Sequence, residues 1–196
     1  MDKVTNIKLC GVGGQGILLA TELLSMVLLR AGNDVKTSEV HGMAQRGGSV
    51  FSDLRFGRKI YSPLIPDGMT DILVGFDMLE AARYAPTLAA DGLAIVNDHI
   101  IAPLGVSSGQ TAMPPDLEAR IARWAARVER VDATGIAQQV GNPRTANTAL
   151  LGALSRHLPV SVESWIEALR ERLGAKSLDA NRQAFELGRS SHEAAE

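Results

Sequence analysis

The chain has 196 residues and a single cysteine, Cys10, so it cannot close an internal disulfide or by itself hold an iron–sulfur cluster that needs several thiolates. Histidine is nearly as sparse. His41, His99, His157 and His192 show no metal-ligand spacing, and no metal site is expected on this chain. A formal net charge of -2 gives no electrostatic reason to expect nucleic acid or an anionic membrane as a partner. Long apolar runs are missing too: the longest, residues 17–29, is interrupted by Thr21, Glu22 and Ser25. It falls short of the about 20 residues of a bilayer span and reads as a buried helix. No basic segment followed by an apolar core and a cleavage site opens the sequence, so a cytoplasmic location is expected.

What is present is the composition of an ordinary globular protein, 45% hydrophobic and 21% charged. One domain over 1–196 is expected, with an α/β core over 1–141 and a helical C-terminal extension over 142–196 packed on it. Short apolar runs alternate with helical patterns, the signature of an α/β fold. The pattern predicts a Rossmann-like, mostly parallel sheet with an inserted β-hairpin and C-terminal helices. Strands are expected over 7–10, 35–40, 72–76, 93–97 and 128–132, and the hairpin joins 49–56 to 59–62 across "GRK". Helices are expected over 16–31, 78–88, 114–127, 145–157, 162–173 and 177–187. Arg120, Arg123, Arg127 and Arg130 then form a solvated face, and Cys10 reads as a small core residue.

The stretch "CGVGGQGILLA" sets Gly11, Gly13 and Gly16 at GxGxxG spacing between a strand and a long helix. This arrangement turns backbone N–H groups and a helix N-terminus toward an anion, although glycines at these places can also serve packing alone. Glu39, near the end of the second strand, keeps an NAD site open, because its carboxylate stands where ribose hydroxyls are bound. A second glycine-rich, cationic loop, "HGMAQRGG", follows it at once. In an open α/β sheet the two loops lie side by side, so Arg46 is expected to face the same ligand as Gly13, Gly14, Gln15 and Gly16. His41, Gln45 and Ser49 supply polar contacts, and Gly47 and Gly48 supply backbone freedom.

Taken with "SPLIPDG", "GNPRTANTALLGAL" and "NRQAFELG", these segments resemble the gamma-type domain of 2-oxoacid:ferredoxin oxidoreductases, and more closely the small subunit of the indolepyruvate type. The resemblance runs from Gly11 to Gly188. It implies a small subunit that is inactive alone and joins a large subunit carrying thiamine diphosphate, Mg2+ and the iron–sulfur clusters. The complex would decarboxylate an aryl pyruvate oxidatively, pass electrons to ferredoxin and transfer the acyl group to coenzyme A. No catalytic residue is then expected on this chain. Its implied share is a coenzyme A cradle built on Gly11, Gly13, Gly14, Gln15 and Gly16 with Arg46 nearby, the second loop facing the large subunit. Asn142 and Arg144 come into the site through the family motif, against a plain reading of the "NP" pair as a helix cap. Three alternatives stay open: a pyruvate or 2-oxoglutarate gamma subunit, an NAD-binding dehydrogenase, and a non-catalytic packing scaffold; the isolated chain can also pair as a homodimer. Trp165 and Phe185 are either core or docking surface.

Overall fold

A computed structural model of the chain describes residues 4–41 and 48–191. Six strands form one sheet in the order β2-β3-β1-β4-β5-β6. β1 (Thr5–Val12) leads through the glycine turn into α1 (Ile17–Arg30), and β2 (Asp34–His41) and β3 (Ser49–Gly57) follow. β4 (Thr70–Gly75), α2 (Met78–Tyr84), a 3-10 turn (Ala85–Thr87) and β5 (Leu88–Asn97) come next, then the short helices α3 (Leu104–Ser107) and α4 (Leu117–Ala122). β6 (Arg127–Val131) is the last strand, followed by α5 (Ala133–Gln139), a 3-10 turn (Pro143–Thr145), α6 (Ala146–Ser155), α7 (Val162–Leu173) and α8 (Ala175–Ser190). β1, β4, β5 and β6 run parallel, and β3 alone is antiparallel to its neighbours β1 and β2.

Period-two alternation divides the buried side chains between two faces. Ile7, Leu9, Ile72, Val74, Leu93 and Ile95 meet α1, α6, α7 and α8 on one side. Cys10, Leu73, Ala94 and Val96 meet α2 and α4 on the other. Helices on both faces explain why these strands read as continuous apolar runs. The chain therefore changes face between β1, whose helix α1 covers one side, and β4, whose helix α2 covers the other.

The expected antiparallel ladder exists with a different partner. β3 pairs with β2 along its length, Glu39 opposite Ser52 and Val35 opposite Phe56, and not with 59–62. That segment stays outside the sheet because polar side chains claim its backbone: Asp34 Oδ2 accepts the Ile60 N–H at 2.8 Å, and the Arg55 guanidinium donates to the Ser62 and Leu64 carbonyls at 3.0 Å. The helix expected over 114–127 is confined to α4, because the Ala126 N–H already donates to Gly92 O at 2.9 Å and the chain continues as β6. Arg127 and Arg130 consequently stand on a strand, not on a helix face with Arg120. Among the described residues no helix is long and apolar enough to cross a membrane.

Candidate functional site

The glycine turn lies at the carboxyl end of β1, where the sheet changes face; ligands of open α/β sheets bind at such points. Gly16 begins α1 in the left-handed region (φ 80°, ψ 28°), and no side chain caps the helix. The first N–H groups of α1, as at any helix start, have no intrahelical acceptor. Gly14 is exposed at φ +105°, and a side chain there would meet nothing within 4 Å.

Gln15 does a different job from the one expected of it. Its Oε1 accepts the Val12 N–H at 2.7 Å, its Nε2 donates to Phe76 O at 3.0 Å, and its own N–H donates to Val12 O at 3.2 Å. Gln15 thus holds the turn in shape from within, and Gly11 is glycine because a Cβ there would stand 2.5 Å from Gln15 Oε1. Gly13 donates its N–H to Gly48 O at 2.9 Å, which ties the turn to the residue just before β3. Gln45, Arg46, Gly47 and the side chain of His41 lie outside the described residues. The root of their loop is fixed: Ser49 Oγ donates to the buried Glu80 carboxylate at 2.5 Å and lies 3.2 Å from the Tyr84 hydroxyl. Burial raises the Tyr84 pKa.

A cleft of about 510 Å³ runs from the turn along the ends of β1, β4 and β5 to the start of α6. Asn97 binds its walls together: its Nδ2 donates to Phe76 O and to Thr134 Oγ1, both at 3.1 Å, and its Oδ1 accepts the Thr134 N–H at 3.3 Å. Asn147, buried at the head of α6, donates from Nδ2 to Gly16 O at 3.4 Å. Sequence reasoning left Asn97, Thr134 and Asn147 out of the site. A polar residue closing the apolar run "LAIVN" was the available signal for Asn97; for Thr134 there was none.

Asn142 and Arg144 separate in role. Asn142 Oδ1 accepts the Arg144 N–H at 3.1 Å and so caps the 3-10 turn, while exposed Arg144 lines the cleft itself. On the far side of the glycine turn a second hollow holds Arg172, but Glu22 already pairs with it at 2.7 Å. The cation available to a ligand, among the described residues at the turn, is Arg144.

Two further expectations resolve. Trp165 and Phe185 are buried against each other with ring centroids 5.6 Å apart, so both belong to the core. Cys10 is fully buried; burial, with Glu80 adding to it, raises its pKa well above that of a free thiol, and it packs as a small hydrophobe. The geometry also disfavours NAD. β3 stands between β1 and β2, with Ser52 paired to both Leu9 and Glu39, so Glu39 is two strand spacings, about 10 Å, from β1.

A mostly parallel, six-stranded sheet covered by helices on both faces, with a glycine turn at its switch point, defines an α/β class of fold, and comparison with known proteins makes the class specific. The chain belongs to the pyruvate ferredoxin/flavodoxin oxidoreductase family, whose sequence profile matches residues 6–191. Within it, the chain is 41% identical to the indolepyruvate oxidoreductase subunit IorB of Thermococcus kodakarensis, over 95% of each chain. It is also 41% identical to the same-named subunit of Pyrococcus horikoshii over 95% of each. A solved pyruvate oxidoreductase subunit from Thermotoga maritima has the same fold, with a TM-score of 0.74, 25% identity and 99% of each chain covered. A 2-oxoglutarate:ferredoxin oxidoreductase from Magnetococcus marinus, solved with 2-oxoglutarate, coenzyme A and succinyl-CoA, shares the fold at TM-score 0.75 and 20% identity. The match covers 97% of this chain and 31% of that one.

Proposed function

We propose that the chain is the small subunit of an indolepyruvate:ferredoxin oxidoreductase and that its cleft binds coenzyme A. Thiamine diphosphate, Mg2+ and the iron–sulfur clusters are held by the large subunit, which passes electrons to ferredoxin in the cytoplasm. The observation that carries this reading is the cleft at the sheet's switch point, where the uncapped N-terminus of α1 and the side chain of Arg144 face one space. Backbone N–H groups of a helix start suit a pyrophosphate, and about 500 Å³ suits an extended ligand. Coenzyme A supplies the thiol that accepts the acyl group. This chain binds and orients it: the glycine turn holds the phosphates, Gln15 and Asn97 keep the walls in register, and Arg46 adds charge from the second loop. That loop faces the large subunit, so the thiol end points toward the reaction centre there. Tyr61 and Leu64, exposed at 90% and 62% in a segment fastened by Arg55, support a subunit interface on the same polypeptide.

The test is the steady-state kinetics of the assembled enzyme with indolepyruvate and varied coenzyme A. Arg46→Ala is expected to raise the Michaelis constant for coenzyme A while kcat changes little; an unchanged constant removes Arg46 from the site. An enzyme that turns over at full rate without coenzyme A defeats the whole reading.

A further inference from the structure

The segment "GNPRTAN" does more than start a helix. Gly141 turns the chain at φ +73°, and Pro143 restricts the backbone immediately before Arg144. Asn142 Oδ1 takes the Arg144 N–H at 3.1 Å, while Thr145, fully buried, donates its N–H and its hydroxyl to Asn142 O at 3.0 and 2.8 Å. Two residues further on, Asn147 reaches Gly16 O, and a Cβ on Gly16 would stand 2.5 Å from Asn147 Nδ2. One short segment therefore fixes the backbone under Arg144 and is also bonded to the glycine turn. The placement of Arg144 relative to the start of α1 is built, and its side chain is left exposed in the cleft.

The charge is uncommitted as well as placed. Arg30, Arg83, Arg156, Arg172 and Arg182 each pair with a carboxylate. Arg144 makes no ion pair among the described residues, and it is the one Lys or Arg among those lining the cleft. Two kinds of anion site thus share one space: the backbone donors of a helix start, and a planar guanidinium that matches a phosphate in a two-pronged way. A ligand that carries two separate phosphate groups can use both.

Coenzyme A has that chemistry, with a pyrophosphate in its chain and a monophosphate on the 3′ position of its ribose. Resting on the coenzyme A reading above, we propose that Arg144 is a specificity-determining residue that binds the ribose phosphate while the α1 turn takes the pyrophosphate. Asn142 is its positioning residue. The cleft then discriminates between coenzyme A and the same molecule without that phosphate, and against NAD, which lacks it too.

The test is equilibrium binding of coenzyme A and of dephospho-coenzyme A to the assembled enzyme, measured by calorimetry on wild type, Arg144→Gln and Arg144→Lys. Wild type is expected to bind coenzyme A at least about 10-fold more tightly than the dephospho form. Arg144→Gln should weaken coenzyme A to the level of the dephospho form and leave the dephospho form unchanged, and Arg144→Lys should keep part of the preference. Equal losses for both ligands in Arg144→Gln, or a preference that survives it, overturns the proposal. Equal binding of the two ligands by wild type also overturns it and leaves the coenzyme A reading standing. Binding of neither ligand overturns both.

Discussion

Gly16 and Gly14 are both left-handed, and they differ in what surrounds them. At Gly16 a methyl group would meet Asn147 Nδ2 at 2.5 Å in addition to the strain of φ +80°, whereas at Gly14, φ +105°, it would enter open space. Left-handed backbone costs an L-residue about 1–2 kcal/mol, and displacing a packed neighbour adds about 1–3 kcal/mol. Gly16→Ala is therefore expected to lose roughly 2–5 kcal/mol in urea denaturation, and Gly14→Ala about 1–2 kcal/mol; equal losses would mean that Asn147 moves aside freely. GxGxxG spacing singles out Gly16 and leaves Gly14 at an unrestricted position, and it could not show what at Gly16 demands glycine. Gln15 illustrates the limit: as a polar residue in an anion-binding pattern it reads as a ligand contact, and only the fold reveals that its side chain is spent on Val12 and Phe76. The same holds for Lys8 and Asp53, a buried ion pair beside the ring of Phe51. Asp53 lies two residues from Phe51 and so on the same face of β3, but nothing local pointed to Lys8 across the ladder.

Among elements, α7 was legible because its caps are local. Ser161 caps α7 through the Ser164 N–H, and Gly174 ends it, so α7 matches its expected span. What the sequence could not disclose is how closely α6 and α8 approach. A Cβ on Gly188 would stand 2.0 Å from Ala149 O, and one on Gly152 would stand 2.1 Å from Phe185 O, so the two backbones touch through their glycines. Gly188→Ala must push these helices apart and is expected to cost about 3 kcal/mol or more, read from the denaturation midpoint at constant slope; a loss below about 1 kcal/mol would show that α8 shifts without penalty. β6 is tied to the end of α6 by Glu129, whose carboxylate accepts from Arg156 at 2.6 Å and lies 3.0 Å from His157 Nε2. Burial pushes the Glu129 pKa up, but these hydrogen bonds outweigh it and hold the pKa below its ordinary 4.5. A depressed carboxylate binds fewer protons in the folded state. Its contribution is accordingly present above about pH 4.5 and is lost as pH falls through the lower folded value. Glu129→Gln should flatten the acid limb of the stability curve below pH 5 relative to wild type; an unchanged limb would assign acid sensitivity elsewhere.

At the scale of the molecule, the sequence left open whether Glu39 stands beside the glycine turn, and strand order answers what the motif could not. With β2 next to β1, Glu39 would stand beside the turn, as an NAD site requires; β3 between them carries it away. No local pattern encodes that order, since β3 reads as a good strand wherever it is placed. The consequence is measurable on the whole chain. A ligand that binds only the folded state, present at 100 times its dissociation constant, adds about 2.7 kcal/mol, and in a protein of this size that raises the melting temperature by roughly 5–10 °C. Coenzyme A is expected to give that shift and NAD none. If coenzyme A shifts only the two-subunit complex, the cleft is completed by the large subunit. If NAD alone shifts the chain, Glu39 must reach the ligand despite β3, and the assignment of the cleft fails with it.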